Sequence, residues 1–175
     1  MKALLVTVLC LQAAAAYCDD VQNFWEAQSP DNASMAVTRR APDNDRAWDS
    51  SFDGTRLVVT KMGEPAKIIF DSTIPGRLPA QIEWSPDSKH IVFTTESSGG
   101  HSPWHCTTYV FSVADRKLVA ADDQVGLVVT PTFTITAPHT AAFGIGATTN
   151  DGVDFEHPKT TNVDLSALFK PSVKP

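Results

Sequence analysis

Ile82-Glu83-Trp84-Ser85-Pro86-Asp87-Ser88-Lys89-His90-Ile91-Val92-Phe93-Thr94 is the stretch on which the fold turns. Pro86 pre-sets φ for a tight turn, Asp87 can hydrogen-bond the backbone two residues on, and Ser88 and Lys89 close the reversal. Trp84 ends the strand before the turn. Ile91 and Phe93, two apart, point to one face of the strand after it. The stretch therefore predicts a β-hairpin whose apolar ends serve one core, with Trp84 a packing residue between sheets.

Outward from this hairpin the texture persists. Runs rich in Val, Ile, Thr and Phe occupy 56–61, 66–71, 81–84, 90–95, 107–113 and 117–121, followed by 126–130, 132–136, 141–146 and 161–165. Each has strand length and is bounded by Asp, Gly, Pro or Ser, and none carries a sustained 3.6-residue stripe. About ten strands joined by spans too short for crossover helices predict antiparallel sheets. From Tyr17 to Arg46 the chain is polar, with Phe24-Trp25 as its apolar anchor. Residues 17–46 are expected to form an irregular lead-in, with one short helix near 21–27. Asn32-Ala33-Ser34 fits a glycosylation sequon, a three-residue match frequent by chance.

Part of the pattern repeats. The stretch from Asp53-Gly54 through Thr60 aligns with Asp87 through Thr94, Asp53 falling over Asp87 and Leu57 over Ile91 at an offset of 34 residues. The Trp-Ser-Pro-Asp unit resembles the repeat of TolB-type β-propellers, WD40-like proteins of the periplasm and of some peptidases. The stretch 82–94 carries the resemblance clearly, 48–60 more weakly, and Thr136 to Phe143 as a faint third copy. It implies four-stranded antiparallel blades with Trp84, Pro86, Asp87, Asp53 and Gly54 at turns. Ser88 stands where the family has Gly, and Pro is missing from 48–60. A propeller needs about four blades of some 40 residues, and residues 47–169 hold about three. The expected architecture is all-β: blade-like sheets forming an open or incomplete propeller, or a sandwich, with a tail at 170–175.

Composition sets the setting. The 175 residues carry 14 Lys and Arg against 20 Asp and Glu, a formal charge of -6. That balance argues against nucleic acid, whose phosphates require clustered cations. Residues 1–16 have the layout of a cleaved secretory signal peptide, with Lys2, an apolar run and Ala13 to Ala16. The run is too short to span a bilayer, and no later run is long enough. Secretion or a periplasmic location follows as the expectation. Two cysteines, Cys18 and Cys106, remain after cleavage, and an even pair in an oxidising compartment points to one disulfide. Free thiols and a lipid anchor at Cys18 are the rival readings. Tyr17 before Cys18 departs from the Gly, Ala or Ser of a lipobox.

Catalytic signatures are scarce. The sequence contains no Gly-x-Ser-x-Gly elbow and no Walker loop. Gly144-Ile145-Gly146 reads better as a glycine-relieved strand than as half of a dinucleotide fingerprint. Asp49 to Gly54 reads as a turn, since Thr60 replaces the Glu of a calcium loop. Between Ser97 and Cys106, His101, Trp104 and His105 offer either zinc-ligand chemistry, a recognition loop with an exposed aromatic, or a plain surface loop. Gly99, Gly100 and Pro103 forbid the helix that would make a four-residue His spacing diagnostic. The favoured expectation is a non-enzymatic binding or scaffold module for a protein or cell-envelope component, without a cofactor. It would be a monomer whose lead-in covers a sheet edge, with edge-to-edge association as the alternative. A small metal-assisted hydrolase using His101 and His105 is the rival class.

Overall fold

The computed structural model describes residues 23–41, 54–74, 77–97, 106–149 and 152–170. Residues 1–16, read above as a signal peptide, and Cys18, Trp48, Asp53, His101, Trp104 and His105 lie outside those residues. The described chain is all-β, arranged as three antiparallel sheets with no closed barrel among them. The first sheet runs β1 (Asn23–Gln28), β2 (Ser34–Ala41), β3 (Gly54–Lys61), β4 (Lys67–Ile74). A middle sheet follows in the same order with β5 (Arg77–Trp84), β6 (His90–Ser97), β7 (Thr108–Ser112) and β8 (Lys117–Ala120). After a single helical turn, α1 (Asp122–Val125), β9 (Val128–Ala137), β10 (Thr140–Thr149) and β11 (Gly152–Asp164) make the third sheet. A 3-10 helix, Leu165–Phe169, ends the described chain.

Two hydrophobic cores hold the sheets together, and β6 serves both. Ile91 and Phe93 join Ile82, Trp84 and Phe111 against Ala36, Leu57, Val59 and Ile74 of the first sheet. Val92, between them in sequence, points the other way, toward Phe133, Ala141, Phe143 and Leu165. Residues 90–95 are buried throughout because apolar layers lie on both faces, which explains an uninterrupted apolar run inside an antiparallel sheet. Phe93 has no exposed surface, and truncation to Ala would cost about 3–5 kcal/mol.

The polar lead-in requires correction. Its residues form β1 and β2, two full members of the first sheet, and the expected helix near 21–27 is strand from Asn23 onward. The face that β2 buries carries Ala36 and Thr38, small side chains with little strand signal. The middle sheet supplies the bulk opposite them through Trp84, Ile82 and Phe93. The alignment of 53–60 with 87–94 also changes meaning. Gly54 begins β3, the third strand of its sheet, whereas Asp87 precedes β6, the second strand of its own.

In the third sheet the two runs expected on either side of Pro131 are one strand. Register with β10 jumps from Phe133 to Val128 opposite Gly144, so Pro131 sits in a bulge of an edge strand, where a missing N–H is tolerated. β11 jumps likewise, from Lys159 to Asp154 opposite Gly146, and Pro158 lies in that bulge. Thr130 folds over Gly144, and Val129 and Val153 close over Gly146, where a Cβ would lie 2.5 Å from Val153 Cγ1. The strand reading of Gly144-Ile145-Gly146 thus has its cause: each glycine admits the side chains of a bulged neighbour.

Candidate functional site

The best-defined polar geometry is the turn between β5 and β6. Ser85 Oγ donates to Asp87 Oδ1 at 2.6 Å and accepts from the His90 amide at 2.9 Å. Asp87 Oδ1 also accepts from the Lys89 amide, and the Ser85 amide donates to the His90 carbonyl. Ser88 takes φ 61, the left-handed conformation the reversal requires. Burial raises the Asp87 pKa, but hydrogen bonds from Ser85 and Lys89 outweigh it and hold the carboxyl below its ordinary value.

The same turn occurs between β1 and β2. Ser29-Pro30-Asp31-Asn32-Ala33-Ser34 lies 56 residues before Ser85 to His90, and its bonds repeat one by one. Ser29 Oγ donates to Asp31 Oδ1 at 2.6 Å and accepts from the Ser34 amide at 2.9 Å, while the Ala33 amide donates to Asp31 Oδ1. Asn32 takes φ 60 where Ser88 takes 61. The hydrogen bond from Ser29 holds the Asp31 carboxyl below its ordinary value. A Ser-Pro-Asp triplet followed three residues after Asp by Ser or His was the available signal. The first copy is masked in sequence by the polar residues around it.

These turns join the first two sheets. The Asp31 amide donates to Ser88 Oγ, and Trp84 Nε1 donates to the Ala27 carbonyl at 3.1 Å. At the opposite end Thr55 Oγ1 donates to the Arg77 carbonyl at 2.8 Å. The strands flanking 42–53 and 98–105 therefore end on the same side of the stack, away from the turns. The middle and third sheets are stitched through Gln81, whose amide donates to the Phe133 carbonyl and accepts from the Phe133 amide at 3.0 Å. Thr94 Oγ1 adds a bond to the Pro131 carbonyl.

Ser85, Asp87 and His90 are the residue types of a hydrolytic triad, and their geometry excludes that role. The serine is fully buried, its hydroxyl is committed to the carboxylate, and the backbone of His90, not its imidazole, reaches Ser85. His90 is 4% exposed, and its ring lies beside that of Phe169 at 5.9 Å between centroids, with Nδ1 unpartnered. Burial depresses its pKa, with Asp87 and Asp164 opposing that trend. On the β11 bulge, Asp154 accepts the Glu156 and His157 amides and holds an exposed His157.

Of the residues singled out in sequence, Trp84, Pro86 and Asp87 fall together in the turn. Cys106 is buried with a free thiol, its pKa raised by burial, and its proposed partner Cys18 lies outside the described residues. The described residues contain no group of three His, Cys, Asp or Glu able to hold a metal ion. None of their helices is long and apolar enough to cross a membrane. No protein-family model matches the chain, and no curated protein matches it.

Proposed function

We propose that this protein is a secreted or periplasmic, non-enzymatic binding and scaffold module of TolB-like, WD40-like repeats. It engages another protein or a cell-envelope component through the end of the stack opposite the Ser-Pro-Asp turns. The observation that carries the reading is the pair of superimposable turns bonded to each other through Asp31 and Ser88. Two four-stranded sheets bonded to each other through equivalent turns make a support, and recognition residues are typically carried on the connections that such a scaffold positions. On this reading His101, Trp104 and His105 form the recognition loop between β6 and β7. A disulfide from Cys18 to Cys106 anchors the start of the mature chain beside it.

The test is capture from solubilised cell envelope by the full mature protein, compared with His101→Ala, Trp104→Ala and His105→Ala. A partner held by the wild type and lost from the loop variants, with unchanged thermal stability, supports the module. Equal capture by all four proteins would overturn the loop assignment. Stoichiometric zinc in the purified protein would instead favour the metal-assisted hydrolase using His101 and His105.

A further inference from the structure

The 3-10 helix Leu165–Phe169 closes the seam between the middle and third sheets at the end that carries the turns. Its Leu165 amide donates to the His139 carbonyl in the β9–β10 turn, and Gln124 Nε2 donates to the Leu168 carbonyl at 2.8 Å. Leu165 and Leu168 are buried in the second core. Asp164 caps the helix by accepting from the Ser166 amide. Phe169, the last residue of the helix, covers the ring face of His90.

That arrangement makes one titratable side chain a structural part of the docking. His90 is almost wholly buried, and its Nδ1 meets neither a protein acceptor nor a donor. As a neutral ring it can stack on Phe169 at modest cost. As an imidazolium it would place a full charge where burial disfavours it and leave Nδ1 an N–H without an acceptor. The charged groups facing it are Asp87 and Lys89 from its own turn, Asp164 from the start of the 3-10 helix and His139 from the β9–β10 turn. Both carboxylates are already engaged, Asp87 by Ser85 and Lys89, Asp164 by Ser166. Phe169 packs beside the ring, so undocking it would widen the ring's access to water.

We infer that Leu165–Phe169 is an acid-released latch: protonation of His90 undocks the 3-10 helix from the seam and uncovers the apolar surface under Leu165 and Leu168. The inference needs neither a binding partner nor the proposed function. Its direction follows from linkage. The closed form holds His90 below the ordinary histidine pKa of 6.5. An open form with a hydrated ring takes up a proton near the ordinary value, so acid populates the open form. At neutral pH both forms are unprotonated and docking prevails.

Hydrogen exchange of the full chain, read by mass spectrometry at pH 7.5 and pH 5.0 and normalised for intrinsic exchange, tests the latch. In the wild type, protection of the amides from 165 to 170 should fall at pH 5.0, by up to about thirtyfold for an open ring of ordinary pKa, while β10 keeps its protection. In His90→Gln and His90→Phe, whose side chains do not titrate, protection there should be the same at both pH values. Phe169→Ala should lower it at both. Wild-type protection independent of pH would overturn the latch. So would an unchanged pH response in both His90 variants, and if one of them fails to fold the other decides.

Discussion

The Asp31 amide donates to Ser88 Oγ at 2.9 Å, across 57 residues of chain, and so bonds one Ser-Pro-Asp turn to its copy. Ser88 is thereby both a left-handed turn residue and the link between two sheets. Asn32, its counterpart, occupies the same backbone conformation and is exposed.

This difference predicts opposite responses to substitution. Ser88→Ala keeps the unfavourable φ and loses the bond, so it should destabilise by about 1–2 kcal/mol. Ser88→Gly relieves the φ and loses the same bond, and should fall clearly short of that loss. Asn32→Gly should be neutral or stabilising by up to about 1 kcal/mol. Urea denaturation midpoints at constant m-value check the order.

Gln81 makes a second prediction. Replacement by Leu leaves the part-buried Phe133 amide and carbonyl without their Gln81 partners, which should cost about 2–3 kcal/mol. Its neighbour Glu83 is exposed, and Glu83→Gln should change the midpoint little.

Stability should respond to pH in two steps. His90 has a folded pKa below 6.5, so the unfolded chain binds more protons as pH falls under 6.5, and stability is lost from there downward. Asp87 has a folded pKa below 3.8, so its contribution is present above 3.8 and disappears as pH falls through the lowered value. Denaturation midpoints from pH 8 to pH 3 should show both declines, and His90→Gln should remove the upper one alone.

Gly146→Ala should destabilise by roughly 1–3 kcal/mol, because the added methyl meets Val153, Val129 and the Asp154 carbonyl together. Gly144→Ala should cost less, since the nearest atoms all belong to the Thr130 side chain and none to the backbone. Thermal unfolding of both variants measures the difference.

Thiol labelling addresses Cys106. As a free thiol, Cys106 would be unreactive in the folded protein because burial raises its pKa, so the unfolded protein is the one to label. With the expected link to Cys18, the unfolded protein should alkylate at Cys106 only after reduction. Alkylation without reductant would remove the disulfide from the account.

Residues 82–94 were sufficient by themselves to specify a hairpin, because Pro86 and Asp87 act locally and Ile91 and Phe93 advertise a buried face. The strand-rich, antiparallel character of the chain after Gly54 was legible for the same reason. β1 and β2 were not. Ala36 and Thr38 bury a face whose apolar volume comes from Trp84, Ile82 and Phe93 of another sheet, and no local window contains both sides of that contact. The equivalence of Asp31 with Asp87 likewise rests on matching hydrogen bonds, not on matching hydrophobicity. The docking of Phe169 on His90 joins residues 79 apart in the chain, and only tertiary packing decides that a histidine in a strand becomes a buried, titratable part of a seam.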